Sequence, residues 1–151
     1  MGYIEYKIIP KFTTKYPITR YFRYVDDCFV LTTNEEENSL LYEELNKAHK
    51  FINFTKECEA NNQLAFLDVL VEKRDGKFIT KVYRKPTFTN NYLNFQSFCS
   101  NCRKIGLIKT LNIKAQKICS PEFFIDELKN IKTILKFNGY PKTLVNRIIK
   151  S

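Results

Sequence analysis

Tyr24-Val25-Asp26-Asp27 places two adjacent carboxylates at the tip of a short hydrophobic hairpin, with Tyr21-Phe22-Arg23 before them and Cys28-Phe29-Val30-Leu31 after. Side by side the two charges repel, and in β-rich surroundings they lose solvation, so the arrangement is costly unless a cation offsets it. A divalent metal does so most directly. Mg²⁺ keeps much of its octahedral shell as water and phosphate oxygens and needs few protein carboxylates, which suits a hairpin tip facing a nucleotide triphosphate. The chemistry implied is metal-dependent phosphoryl transfer, with Asp26 and Asp27 as the metal-holding pair. The competing reading is an exposed turn, since Asp is a common turn residue.

The elements that must position these acids read as an α+β chain. Ile18 to Leu31 alternates aromatic and β-branched residues around Asp26-Asp27, as a hairpin requires. Thr33 with Glu36, or Asn34 with Glu37, has capping-box spacing, so a helix is expected over about 35–50, burying Leu41, Leu45, Ala48 and Ile52. A strand is expected over 52–58. Leu64–Lys73 and Lys77–Lys85 then flank Asp75-Gly76, whose tight turn pairs Val69 with Val82, Leu70 with Lys81, Val71 with Thr80 and Asp68 with Tyr83. Beyond Pro86 the pattern is helical. Ser100 or Asn101 caps a helix carrying Ile108, Leu111, Ala115 and Ile118. Ser120-Pro121 opens a second with Phe124, Leu128, Ile131 and Leu135, and Asn138-Gly139 closes it. A third, after Pro141, carries Leu144, Val145 and Ile148.

Arg23-Tyr24-Val25-Asp26-Asp27-Cys28-Phe29 resembles the third catalytic motif of reverse transcriptases in the form found in Penelope-like retroelements. Phe66-Leu67-Asp68-Val69-Leu70-Val71, Val82-Tyr83-Arg84-Lys85-Pro86-Thr87 and Asn91-Tyr92-Leu93 are similar to that group's segment after the catalytic box, in the same order. The resemblance implies a right-hand polymerase. Residues 1–19 would be a lead-in segment, 20–87 a partial palm with a catalytic hairpin and a primer-grip-like hairpin, and 88–151 a helical, thumb-like or helix-turn-helix-like region. It implies that Asp26 holds Mg²⁺, with Asp27 an accessory carboxylate. Tyr24 and Val25 would lie near the nucleotide or primer, the alternative for Tyr24 being packing within the hairpin. Arg84, Lys85, Arg103, Lys104, Lys109, Lys114 and Lys117 would contact the backbone of an RNA template and DNA primer. Asp68 reads as hydrogen-bonded to Tyr83 rather than as another catalytic acid. Reverse transcriptases also need an aspartate from an upstream strand and a fingers region, and residues 1–20 contain no Asp, so the chain as given is expected to be inactive in primer extension.

Composition bounds these readings. Residues 76–151 hold 15 Lys and Arg against 3 Asp and Glu, whereas residues 1–75 hold 10 against 13. A basic half interleaved with Tyr83, Phe88, Tyr92 and Phe95 favours nucleic acid over an anionic membrane. No apolar run approaches a bilayer span, and an intracellular location is the expectation. Five cysteines at irregular spacing read as free thiols. Cys99-Ser100-Asn101-Cys102 has the gap of a zinc knuckle without a second pair of ligands, and His49 reads as a surface residue. Two rival functions remain open. Helices 121–137 and 141–150, joined through Asn138-Gly139-Tyr140, have the short connection of a helix-turn-helix binding module with Lys142, Asn146, Arg147 and Lys150 as readers. The other rival is a domesticated remnant acting as a protein scaffold.

Overall fold

The computed structural model describes residues 6–10 and 20–150. Most of the lead-in segment, with Pro17 and the Ile18 start of the first hairpin, lies outside the described residues. Residues 6–10 are helical. By contacts the chain divides into two compact units, Met1–Cys58 and Glu59–Ser151. The second hairpin thus packs with the helices, and the structural division precedes the expected functional boundary at 87/88.

In the first unit, β1 (Arg20–Tyr24) and β2 (Asp27–Leu31) pair antiparallel with Tyr24 opposite Asp27, so Val25-Asp26 is a two-residue turn. Helix α1 (Glu35–Lys47) begins at Asn34, whose side-chain oxygen accepts from the Glu37 backbone N–H at 2.8 Å. Glu37 reaches back to Thr33, accepting from its hydroxyl at 2.6 Å and its N–H at 3.3 Å. Three acids in the first turn complement the helix dipole. Leu41 and Leu45 are buried, with Ile8, Ile9, Val30, Ile52 and Phe54 packed around them. Ala48 is exposed instead, because the helix ends before it. The strand expected over 52–58 does not form. The Asn46 carboxamide occupies the backbone groups of Phe54 that a strand partner would use, accepting from its N–H at 2.7 Å and donating to its carbonyl at 3.5 Å.

The second unit opens with a three-stranded antiparallel sheet of β3 (Gln63–Phe66), β4 (Val69–Arg74) and β5 (Lys77–Val82). The strand expected from Leu64 to Lys73 is broken by a turn at Leu67-Asp68, where Leu67 takes φ 54°. The Asp75-Gly76 turn has φ 50° and 72°, the left-handed pair of a type I′ turn, and it sets the expected register: Val69 opposite Val82, Leu70 opposite Lys81 and Val71 opposite Thr80. Helices α2 (Asn101–Ile118), α3 (Pro121–Phe137) and α4 (Lys142–Lys150) follow. Their apolar faces meet in one core of Ile108, Leu111, Ala115, Ile131, Leu135, Tyr140, Val145 and Ile148. Each fully buried aliphatic side chain there contributes about 1.5–3 kcal/mol relative to exposure.

Two polar joints fix the helices to the rest. The α2–α3 corner docks on the sheet edge: Thr80 N–H donates to Ser120 Oγ at 2.9 Å, Ser120 N–H to the Thr80 carbonyl at 2.8 Å, and the Thr80 hydroxyl to the Ile118 carbonyl at 2.5 Å. Ser120 is the N-cap of α3, but its hydroxyl serves the strand rather than its own helix. At the other end, Asn138 is only 5% exposed. Its Nδ2 donates to the Ile134 and Asn90 carbonyls, both at 2.8 Å, and its Oδ1 accepts from Tyr92 N–H at 3.0 Å. Its backbone carbonyl accepts from Phe95 N–H at 2.9 Å. Gly139 then turns the chain at φ 80°, a conformation that a side chain would strain. Replacing Asn138 with Ala strands a carbonyl and an N–H of the 90–92 segment, and is expected to lower stability by about 2–4 kcal/mol. Chemical denaturation checks this, and hydrogen exchange should locate the loosening at residues 90–95.

Candidate functional site

The first candidate is the hairpin tip. Asp26 lies in the turn and Asp27 begins β2; both are exposed, and neither carboxylate has a hydrogen-bond or ion-pair partner among the described residues. Val25 takes φ 54°, a conformation costing a β-branched residue at least about 1–2 kcal/mol. Arg23 offsets part of this by donating from Nη1 to the Val25 carbonyl at 2.9 Å. Tyr24 and Val25 project into solvent, 61% and 66% exposed, so Tyr24 does not pack into the hairpin. Two carboxylates with open surroundings fit a water-rich Mg²⁺ shell. Among the described residues no group of three or more acidic, His or Cys side chains is gathered for a metal.

The cations expected to grip phosphates divide into two sets. Arg84 is not free. It forms a two-pronged pair with Glu127, Nη1 to Oε2 at 3.0 Å and Nη2 to Oε1, with the two side chains only 20% and 10% exposed. The hydrogen bond to Glu127, despite burial, raises the Arg84 pKa and keeps the guanidinium charged. Lys104 is buried, its ammonium 5.1 Å from the Phe95 ring centroid. Lys114 pairs with Asp68 at 2.8 Å, which gives Asp68 a charged partner in place of the expected Tyr83 side chain. Tyr83 meets Asp68 through the backbone instead, N–H to carbonyl at 2.8 Å. Lys85, Arg103, Lys109 and Lys117 are exposed.

Helix α4 is the most polarised element. Val145 and Ile148 face the core, whereas Lys142, Thr143, Arg147 and Lys150 are exposed with Asn146 half-buried between them. At about 100° per residue these five share one continuous face. Thr143 belongs to this face although it carries no charge, and the 142–146–150 spacing was its only signal. Between Gly76 and Pro121 there are nine Lys and Arg and no Asp or Glu, so α2 itself carries only positive charge. All five cysteines are free, and exposed His49 accepts from Phe51 N–H at 3.2 Å.

Three helices around one core, the last two joined by a short glycine-containing turn, form a helix-turn-helix-like region. Residues 91–150 match the family model of the animal helix-turn-helix domain. No curated protein and no solved structure matches the chain. No helix among the described residues is long and apolar enough to cross a membrane.

Because Arg84 and Glu127 are mutually satisfied, Arg84→Ala should cost about 3–5 kcal/mol by leaving a poorly hydrated carboxylate, while Arg84→Met with Glu127→Leu should recover most of that loss. Thermal and urea unfolding of the single and double variants check it. A single variant as stable as the parent would return Arg84 to the set of free phosphate contacts.

Proposed function

We propose that residues 59–150 form a nucleic-acid-binding unit of the helix-turn-helix class, with α4 as the element laid against a duplex. The observation that carries this reading is the coincidence of the family match at 91–150 with the cationic face of α4. Lys142 and Lys150 suit phosphates, which position without specifying sequence; Asn146 and Arg147 have the side-chain types that read adenine and guanine edges. Arg103, Lys109 and Lys117 add exposed positive charge on α2. Binding should therefore weaken steeply with salt, each phosphate contact adding roughly 0.9 to the slope of log affinity against log salt. Fluorescence polarisation on a duplex tests this. Lys142→Gln with Lys150→Gln is expected to lower the slope by about two and to weaken all sequences alike. An unchanged slope in that variant would remove α4 from the interface.

The hairpin tip motivates a second, wider reading: the chain is the palm-to-thumb part of a retroelement RNA-directed DNA polymerase of the Penelope-like type. It is supported by two exposed, unpartnered acids on a strained turn, within the motif order that resembles that group. Asp26, assisted by Asp27, would hold Mg²⁺, which when bound neutralises charge on a nucleotide triphosphate and activates the primer hydroxyl. In that reading the nucleic-acid-binding unit grips an RNA template and DNA primer within an intracellular parent protein that also contributes fingers and an upstream aspartate. Paramagnetic broadening by Mn²⁺ tests the site without requiring activity. Amides of residues 24–28 should broaden first, and Asp26→Asn should abolish the effect; broadening centred elsewhere would dismiss the tip as a metal site.

A further inference from the structure

Residues 83–100 contain neither helix nor strand, yet Asn138 pins them at Asn90, Tyr92 and Phe95. Long irregular segments held in place this way are generally functional. This one lines a cleft of about 470 Å³ whose other walls come from the Leu67-Asp68 turn, Val82, Leu111 and Lys114 of α2, and Glu127 of α3. That volume is within the ~300–1,000 Å³ of small-ligand clefts.

The lining has a particular chemistry. Phe88 and Tyr92 present two aromatic rings edge to face at 5.6 Å, and Thr87, Thr89 and Asn91 add hydroxyls and an amide. Both acids in the wall are already taken, Asp68 by Lys114 and Glu127 by Arg84. Lys85 is exposed and has no ion-pair partner among the described residues, and the Arg84 Nε–H is buried without a hydrogen-bond acceptor. The cleft therefore holds one uncompensated ammonium, one unused guanidinium donor and an aromatic platform.

We propose that this cleft holds one unpaired nucleotide of a nucleic-acid strand, with its base against Phe88 and Tyr92 and its phosphodiester at Lys85. A single net cation matches the one charge of a phosphodiester and not the several charges of a free nucleoside triphosphate. Paired bases are excluded, because a base inside a duplex has no free face to stack on a ring in a recess of this size. The site is separate from the α4 face and does not depend on duplex binding there.

The test is fluorescence polarisation of the 151-residue chain with a labelled oligothymidylate and, in parallel, a blunt duplex. The expected result is that Phe88→Leu weakens the single strand about tenfold and leaves the duplex unchanged. Lys85→Gln should lower the single-strand salt slope by about 0.7. Oligouridylate bound with the same dependence on Phe88 would also support the site. The proposal is overturned if neither variant alters single-strand binding, if both weaken strand and duplex equally, or if thymidine triphosphate competes better than the oligonucleotide. Should Phe88→Leu melt early, the exposed Lys85→Gln variant and oligothymidylate-induced shifts of the Phe88 and Asn91 amides decide together, and the absence of either effect overturns the proposal. Failure of the α4 reading is seen separately, as duplex binding indifferent to Lys142 and Lys150.

Discussion

The buried carboxamide of Asn138 is the interaction on which the second unit depends. Only a side chain with two donors and an acceptor on one planar group can bond the Ile134 and Asn90 carbonyls and the Tyr92 N–H together. Asp would lack the donors, and a hydrocarbon would lack everything. The same residue closes α3 and precedes the left-handed Gly139 that lets α4 fold back. With Phe95 held by the Asn138 carbonyl, its ring reaches Tyr140 at 5.2 Å and Lys104 at 5.1 Å. Order in the 90–95 segment and the path of the helix turn are thus one cooperative arrangement. The cleft walls and the α4 face share that anchor.

Charge in this unit is sorted by what each cation already touches. Arg84, Lys104 and Lys114 are spent internally, on Glu127, on the Phe95 ring and on Asp68. Their worth to stability differs. The Arg84–Glu127 pair is largely out of water and its loss is severe on either side, whereas Lys114–Asp68, with Asp68 68% exposed, is screened and contributes little. Of the cations expected to contact phosphate, Lys85, Arg103, Lys109 and Lys117 remain free, as do Lys142, Arg147 and Lys150 on α4. A count of lysines in the sequence overstates the surface available to a polyanion, and the pairing decides which of them are available.

Local chemistry that needs no distant partner was legible in the sequence. Asp75-Gly76 fixed its hairpin's register to the residue, and Ser120-Pro121 and Asn138-Gly139 marked the ends of α3, because turn geometry and caps are properties of two or three residues. The three amphipathic helices were legible for the same reason, each carrying its buried stripe at helical spacing. What was not legible depends on contacts remote in sequence. Nothing near Phe54 shows that Asn46 will take its backbone and forestall a strand, and nothing near Arg84 points to Glu127. The break at Leu67 was hidden differently: leucine is a poor turn former, so Leu64 to Lys73 looks like one strand, and only pairing of β3 back on β4 compels the turn.

That break also disciplines the reading of the carboxylate tip. Val25-Asp26 and Leu67-Asp68 are the same device, a two-residue turn with an aliphatic residue at φ 54° followed by an aspartate. If backbone strain alone marked chemistry, both would qualify. They differ in what happens to the acid. Asp68 is neutralised by Lys114, in keeping with a turn whose work is to bend the sheet. At the first tip Asp26 is joined by Asp27, and the adjacent Arg23 donates to the Val25 carbonyl, reinforcing the turn. Two adjacent exposed acids are more than a structural turn requires, since one aspartate serves the turn at Leu67-Asp68. The adjacent pair, rather than the strained valine, is the feature on which the proposed cation site rests.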